Sequence, residues 1–237
     1  MKNRIWELDA LRGAGILIMV LVHTLYDLIE LFQVVRLENS FFYDFCIEWG
    51  GVLFLILSGI CVTLSDHYAK RGLWVLLCGI VCTLVTFGAT LLGHADPSII
   101  IYFGVLHCLG VCMLSWHWFR RMGLWGLGLT AAGMIAVGLL ILPHIPFQSP
   151  WLIALGLRPA NFASSDYFPL LPNLGYFLAG ALLGKTLYKK QQTLFPKANL
   201  KNPVIRFCNF CGRHSLIIYL LHQPVLVAVL ILILLLV

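Results

Sequence analysis

The sequence predicts an all-α integral membrane protein, a single domain over residues 1–237 built as a bundle of about seven transmembrane helices. Hydrophobic residues make up 60% of the chain and charged residues 11%, whereas soluble domains are roughly 45–50% apolar and about 25% charged. The mean hydropathy of +0.92 leaves too little charge to cover a water-facing surface. Long unbroken apolar runs favour helices, because strands of a membrane barrel alternate. A soluble enzyme, a disordered chain and a nucleic-acid module are excluded.

Seven apolar runs approach the length of about 20 residues that a bilayer requires. Each run carries few charges and ends at a polar residue or at a proline or glycine. We interpret the first run as a retained helix rather than a signal peptide, because Asp27 and Glu30 lie within it and no small-residue cleavage site follows. The runs are 11–32, 47–65, 73–92, 99–116, 124–142, 172–188 and 214–237.

The distribution of lysine and arginine predicts a cytoplasmic N-terminus and a C-terminus outside. With this orientation only Arg36 and Arg158 fall on outer segments. The positively charged residues that give the net charge of +6 therefore flank the membrane, and they do not indicate nucleic-acid binding. The inner residues are Lys2, Arg4, Arg12, Lys70, Arg71, Arg120, Arg121, Lys185, Lys189, Lys190, Lys197, Lys201, Arg206 and Arg213. We therefore predict a multi-pass protein of the cell membrane, in bacteria the inner membrane.

Two connections between the runs are long. Residues 189–213 form a basic inner segment, which we interpret as a solvated loop in contact with anionic lipid. Residues 143–171 form an outer segment with five prolines, and within it 151–157 is too short to span. This stretch is either an interfacial or a re-entrant piece, and the whole segment is either a functional lid or a plain connector.

Ionisable groups within a membrane span are costly, and they usually mark function. On the first helix His23 lies about 20° round from Arg12, and Asp27 follows His23 by one turn. A carboxylate beside an imidazole stabilises its protonated form, which suits a general base. We predict that His23 and Asp27 are this catalytic pair, with Asp9 and Arg12 at the inner mouth. The alternative is a polar clamp between helices.

Further polar residues are predicted to join this site. His107 lies about eight residues into the fourth run, roughly 12 Å deep, where it would meet His23. His107, Ser58 or Asn173 would stabilise an oxyanion. Each has a structural alternative: polar packing for His107, small-residue helix packing for Ser58 and a helix cap for Asn173. Substrate or donor contacts are predicted for Asp166, Arg213, Ser215, Tyr219 and His222, although Arg213 also suits snorkelling to lipid headgroups.

No metal site is predicted. Cys208 and Cys211 form a lone CxxC pair, and a structural zinc ion needs two further ligands, of which only His214 is near. Cys78 with Cys82 and Cys108 with Cys112 are spaced one helical turn apart and suit small packing residues.

Several stretches in order resemble the catalytic domain of heparan-α-glucosaminide N-acetyltransferase, a family of the wider transmembrane acyltransferases that includes the acyltransferase-3 type. They cover nearly the whole chain: Arg4–Gly13 leading to His23 and Asp27, Phe54–Gly59, Phe103–His107, Asp166–Pro172 and Gly212–Pro224. The resemblance implies acyl transfer, commonly acetyl from acetyl-CoA, to a sugar or glycan acceptor beyond the membrane.

The resemblance also implies an essential histidine. In the lysosomal enzyme this histidine lies in the first lumenal loop, but the corresponding stretch here, 33–47, contains no histidine. In acyltransferase-3 proteins a histidine follows Arg-Gly within the first helix, and His23 occupies that position. The chain also lacks the lysosomal enzyme's extra lumenal domain and several of its helices.

The predicted function is therefore a membrane acyltransferase that moves an acyl group from acyl-CoA to an amine or hydroxyl of a sugar or glycan. Arg12 and Arg213 would hold the CoA phosphates. Acetyl-CoA is expected as a co-substrate, and no bound cofactor is expected. Besides the donor and the acceptor, membrane lipid is the expected partner. A homodimer is left open. Two alternatives stand: a small proton-coupled transporter or channel with a buried His/Asp relay, which the lack of internal repeats disfavours, and a non-catalytic membrane scaffold.

Overall fold

A computed structural model describes residues 5–31, 34, 40–145, 149–159 and 161–236. Lys2, Arg4 and Arg36 of the predicted charge pattern lie outside the described residues. The described part of the chain is all-helical, apart from an isolated bridge between Phe103 and Tyr167. Its α-helices are α1 Trp6–Tyr26, α2 Phe41–Val62, α3 Tyr68–Leu91, α4 Val105–Phe119, α5 Leu124–Ala136, α6 Leu170–Leu187, α7 Pro203–Arg213 and α8 Ser215–Leu236.

Every predicted apolar run contains a helix, and five helical stretches are long and apolar enough to cross a membrane. These are Trp6–Ile29, Phe41–Val62, Tyr68–Leu91, Leu124–His144 and Ser215–Ile233. α4 is a shorter apolar helix of 15 residues, about 22 Å long against a hydrocarbon core of about 30 Å. The described structure is thus all-helical, with several helices long and apolar enough to cross a membrane, while seven spans and the orientation of the termini stay predictions.

The chain divides into two compact units. One unit comprises Met1–Phe54 with Gln191–Val237, and the other comprises Leu55–Lys190. The first contains α1, α7 and α8 together with the beginning of α2. The second contains the rest of α2 and α3 to α6.

A close helix crossing between α1 and α7 holds the first unit together. A Cβ atom added to Gly13 would overlap the carbonyl oxygen of Cys208, and one added to Gly212 would overlap the carbonyl oxygen of Asp9. Small residues of this kind let two helix backbones approach closely. The tight crossing fixes α7 against the N-terminal half of α1.

The prediction that 189–213 is a loop is wrong for its second half. Residues Pro203–Arg213 form α7, because the Asn202 side chain accepts a hydrogen bond from the Val204 N–H at 2.9 Å and Pro203 occupies the first turn. An asparagine cap followed by proline is a helix-start signal. One side of α7 packs on α1, while Phe207 and Phe210 are exposed.

Glycines also mediate helix contacts in the second unit. A Cβ atom on Gly59 of α2 would overlap the carbonyl oxygen of Phe177 of α6, and one on Gly180 would overlap that of Ile56. Ser58, beside Gly59, is buried in this contact. The surroundings of Ser58 therefore fit the packing alternative.

The fourth predicted run begins as extended chain rather than as helix. Asp96 caps the short 3₁₀ turn Pro97–Ile99, and residues 100–104 then run extended beside 164–168, where the Phe168 N–H donates to the Phe103 carbonyl at 2.9 Å. α4 starts at Val105, so His107 lies in its first turn. The predicted depth of roughly 12 Å along a helix is wrong, because the first six residues of the run pair with another segment.

Candidate functional site

Two histidines meet in the first unit, one on α1 and one on α8. The ring centroids of His23 and His222 are 4.9 Å apart, and the rings are nearly perpendicular at 86°. His23 Nδ1 lies 2.9 Å from the Met19 carbonyl oxygen, and His222 Nδ1 lies 2.5 Å from that of Tyr219. Because a carbonyl oxygen only accepts, both Nδ1 atoms carry the proton. In the neutral rings each Nε2 therefore keeps a lone pair.

The two Nε2 nitrogens are on rings that differ in burial. Within the described residues, His222 Nε2 is buried and has no hydrogen-bond partner. The His23 residue is half-buried. A basic nitrogen whose ring is held in position by its own helix is what general-base chemistry requires.

Asp27 lies next to this pair but contacts a residue that the sequence analysis did not single out. Its side chain is only 1% exposed, and both carboxylate oxygens accept hydrogen bonds from Gln223 Nε2, at 2.8 and 3.0 Å. Gln223 follows His222 directly on α8. α1 and α8 are thus joined by two side-chain contacts, one between histidines and one between a carboxylate and an amide.

The predicted hydrogen-bonded pair of His23 and Asp27 is not formed in the described structure. A backbone carbonyl orients His23, and Gln223 holds Asp27. The backbone spacing is not the reason, because the Asp27 N–H still donates to the His23 carbonyl and Asp27 follows His23 by one helical turn. The carboxylate instead binds the amide that α8 brings beside it. α1 ends at Tyr26 and continues as a π-helical turn over Asp27–Leu31. Turns of this kind are frequent at functional sites.

A cluster of charges lies at the N-terminal end of α1. Asp9 is buried, its Oδ1 is 3.6 Å from Arg12 Nη1, and its Oδ2 is 3.7 Å from Arg213 Nε. The two arginines that were predicted to bind phosphate therefore converge on one carboxylate. Each guanidinium has five N–H donors, so a long ion pair leaves most of them available.

Glu7 is a buried carboxylate that the sequence analysis missed. Its side chain accepts a hydrogen bond from Thr193 Oγ1 and another from the Leu194 N–H, both at 2.8 Å. Trp6 adds an edge contact to Phe195, with ring centroids 6.4 Å apart. The beginning of α1 thereby anchors the basic connection that leads to α7. A carboxylate two residues before Asp9 in an otherwise apolar helix was the available signal.

His107 has a different environment in the second unit. Its Nδ1 accepts from the Gly104 N–H at 3.2 Å, so Nε2 carries the proton and faces Thr83 Oγ1 at 3.3 Å. The ring also packs against Gly79, where an added Cβ atom would lie 3.0 Å from Nδ1. Both ring nitrogens are engaged by protein groups. This geometry fits the packing alternative, with His107 capping the start of α4.

Asp166 and Asn173 also bind backbone groups. Asp166 Oδ2 accepts from the Val105 N–H at 3.0 Å, at the positive end of the α4 dipole. Asn173 Nδ2 donates to the Pro169 carbonyl at 2.7 Å, which is a bond to a backbone carbonyl and not a cap of the N–H groups at the start of α6. Substrate contacts for either residue stay predictions.

The segment that contains Asp166 is ordered by side-chain hydrogen bonds. Ser164 Oγ donates to the Ile100 carbonyl at 2.8 Å, and Tyr167 Oη donates to the Ile153 carbonyl at 2.8 Å. Burial raises the pKa of the Tyr167 hydroxyl, although the charge of Arg158 acts in the opposite direction. Residues Pro150–Leu155 form a short 3₁₀ helix at the place of the predicted interfacial or re-entrant piece.

The predicted site residues fall into both units. The first unit contains Asp9, Arg12, His23, Asp27, Arg213, Ser215, Tyr219 and His222. The second contains Ser58, His107, Asp166 and Asn173. The structure brings together His23 and His222, with the Tyr219 ring 5.5 Å from His222. Ser215 is half-buried at the start of α8. A meeting of His23 with His107 stays a prediction.

Metal ligation is not indicated by the arrangement of donor side chains. Among the described residues, no group of three or more His, Cys, Asp or Glu side chains is placed to hold a metal ion. Cys208 and Cys211 are both free thiols. Burial raises the pKa of the Cys211 thiol, which disfavours the thiolate.

These features define a multi-pass helical membrane protein with a buried cluster of imidazole, carboxylate and amide groups. The family model for the heparan-alpha-glucosaminide N-acetyltransferase catalytic domain matches residues 4–224, nearly the whole chain, so the chain belongs to this family. It is accordingly a membrane protein with an acetyltransferase domain. Comparisons with curated proteins and with solved structures found no match.

Proposed function

We propose that the protein transfers an acetyl group from acetyl-CoA to an amine or hydroxyl of a sugar or glycan acceptor, with His23 as the general base. The proposal rests on the contact between His23 and His222. Each Nδ1 donates to a backbone carbonyl of its own helix, so each Nε2 keeps a lone pair. Membership of the acetyltransferase family supports the reaction class.

In the proposed step, His23 Nε2 takes the proton of the acceptor N–H or O–H while the acceptor atom attacks the thioester carbonyl carbon. The tetrahedral intermediate then collapses, and its C–S bond breaks. The departing CoA sulfur takes the proton from the imidazolium, so the products are the acetylated acceptor and CoA with a free thiol. Base catalysis of this type contributes about 10²–10⁴-fold in rate.

His222, Asp27 and Gln223 support this step as positioning groups. The edge of one imidazole against the face of the other limits how His23 can rotate. Asp27 supplies negative charge close to an imidazolium that forms transiently, and Gln223 fixes the direction of its carboxylate. A preorganised charge stabilises a developing charge better in a sheltered site than in water.

The donor is proposed to bind through Arg12 and Arg213. Both guanidiniums lie at the N-terminal end of α1, which the charge distribution predicts to be cytoplasmic. Asp9 holds them as a pair through contacts of 3.6 and 3.7 Å. Charge-assisted bonds from arginine suit the diphosphate and the 3′-phosphate of CoA. The acceptor then approaches from the opposite side of a seven-span bundle.

In a covalent variant, His23 Nε2 attacks the thioester carbonyl carbon, the C–S bond breaks, CoA leaves as a thiolate and an acyl-imidazolium forms. The acceptor atom then attacks the acyl carbon, the C–N bond to His23 breaks, and the acceptor proton passes to the CoA thiolate. Rapid quenching of a reaction without acceptor distinguishes the two routes. Acetyl mass on the peptide that contains His23 indicates the covalent route, and its absence indicates general-base catalysis.

The test uses the full chain in lipid nanodiscs with acetyl-CoA and with glucosamine and its glycosides as acceptor probes. CoA thiol release and acetylated product are measured for the wild type, His23→Ala and the control His94→Ala, which changes an exposed histidine in a connection. Loss of turnover in His23→Ala alone supports the proposal, and unimpaired turnover overturns it.

A parallel comparison tests the donor site. Arg12→Ala and Arg213→Ala are expected to raise the KM for acetyl-CoA without changing the KM for the acceptor. The control Arg206→Ala, on the exposed side of α7, should leave both KM values unchanged. Proton flux into liposomes without CoA release would instead favour the transporter alternative, for which the adjacent histidines offer a relay.

A further inference from the structure

The second unit contains a pocket of about 230 Å³ at the shared ends of four helices. α2 ends there at Val62, α3 begins at Tyr68, and the C-terminal ends of α4 and α6 bring in Arg120 and Lys185. Trp116 and Tyr68 form its apolar lining and are 4% and 9% exposed. The pocket belongs to neither the histidine pair nor the arginine pair described above.

Each aromatic ring of this pocket carries a cation over its face. The Arg120 guanidinium carbon lies 5.8 Å from the Tyr68 ring centroid, and Lys185 Nζ lies 5.3 Å from that of Trp116. Tyr68 is itself fixed by a hydrogen bond of 3.1 Å between its hydroxyl and His117 Nδ1. Cation–π contacts at these distances hold both positive groups at the pocket without neutralising them.

The two cations differ in how many hydrogen bonds they have left. Lys185 Nζ donates to the carbonyls of Arg120 and Met122, both at 2.8 Å, which leaves one of its three donors. The Arg120 guanidinium has no hydrogen bond or ion pair within the described residues, and it is exposed. Its planar set of donors matches the oxygens of a phosphate group.

The size and charge of the pocket restrict the kinds of ligand that it can bind. Its volume is below the roughly 300–1,000 Å³ of sites that enclose a whole small molecule, so it suits a small group whose remainder stays outside. Asp66 also lines the pocket, so two cations face one carboxylate and the local charge is positive. Tryptophan and a cation at the end of a membrane helix are typical of the headgroup region.

We propose that this pocket binds a phosphate group presented at the membrane interface, with Arg120 as the main ligand and Lys185 as the second. A phospholipid headgroup and a soluble phosphate ester such as a nucleotide both offer this chemistry. The proposal does not rest on the proposed acetyl transfer, because its residues take no part in that step.

The test measures binding directly in the full chain. One arm uses adenosine 3′,5′-bisphosphate and equilibrium binding in nanodiscs of neutral lipid, with Arg12→Ala and Arg213→Ala present in every protein so that the proposed CoA site does not contribute. The other uses native mass spectrometry to count phosphatidylglycerol molecules retained after delipidation. Arg120→Ala is compared with Arg121→Ala, which removes the adjacent arginine that does not line the pocket. Arg120 caps α4 through its backbone N–H, so the variant should fold, and its melting temperature verifies this.

We expect Arg120→Ala to weaken the binding of adenosine 3′,5′-bisphosphate at least tenfold, or to reduce the number of retained lipid molecules by one. Arg121→Ala should behave as the wild type. Loss in the first arm identifies a soluble phosphate ester, and loss in the second identifies a lipid headgroup. Arg120→Lys should bind more weakly than the wild type, because it keeps the charge but loses the planar donor set. Unchanged binding of both probes in Arg120→Ala, or equal losses in both alanine variants, overturns the proposal.

Discussion

His23 of α1 and His222 of α8 contact each other edge to face, with ring centroids 4.9 Å apart, and each donates its Nδ1 proton to a carbonyl of its own helix. The two rings therefore have the same tautomer in the neutral state and expose the same kind of nitrogen. One turn further along α1, Asp27 is bound to Gln223. The contact between α1 and α8 is thus polar within a mostly apolar pair of helices.

The first prediction separates the two histidines. His23→Ala should reduce kcat by about 10²–10⁴-fold, because it removes the base, whereas His222→Phe keeps an aromatic ring and should cost less. The double variant should have the same kcat as His23→Ala, because His222 cannot position a base that is absent. Turnover of the four proteins under saturating acetyl-CoA tests this. Additive losses would mean that the two rings act independently.

The second prediction concerns the stability of the α1–α8 contact. Gln223→Ala removes the donor to a carboxylate that is 1% exposed, and an unsatisfied buried acceptor costs about 1–3 kcal/mol, more when it is charged. The melting temperature should fall by several degrees, measured by intrinsic fluorescence in detergent. Gln192→Ala, at an exposed position, is the control. An equal melting temperature for both variants contradicts the prediction.

The third prediction concerns the glycine crossing of α1 and α7. Gly13→Ala places a methyl group on the Cys208 carbonyl, where the backbone has no room, so we expect a loss of about 1–3 kcal/mol or more. Gly133→Ala, at an exposed position of α5, meets nothing within 4 Å and should be neutral or slightly stabilising, because alanine is the better helix former. The yield and melting temperature of the two purified variants test this difference. A melting temperature of Gly13→Ala equal to that of the wild type would refute the prediction.

The fourth prediction distinguishes capping from catalysis at His107. His107→Ala removes the acceptor of the Gly104 N–H, and loss of a helix cap costs about 0.5–2 kcal/mol. The melting temperature should therefore fall, while the pH profile of kcat for acetyl transfer stays that of the wild type. Asp166→Ala, which removes the acceptor of the Val105 N–H, should behave in the same way. Turnover abolished without loss of stability would make His107 a catalytic residue.

Membership of the membrane class and the positions of the helices follow from the sequence, because long apolar runs are a local property. Each predicted run contains a helix in the structure. The errors arose where a local signal competed with a partner elsewhere. Residues 100–104 are apolar enough to extend α4, yet they pair with 164–168. Within 189–213 the Asn202–Pro203 start signal outweighs the charge that suggested a loop.

Polar partners, by contrast, were decided by the tertiary structure. Spacing along one helix identifies neighbours on that helix, and it predicted His23 with Asp27. In an apolar interior, however, a buried carboxylate binds whichever donor the packing brings close, and for Asp27 that donor is Gln223, 196 positions away. The sequence by itself thus determined which groups are buried at a cost, and the packed structure determined which of them satisfy one another.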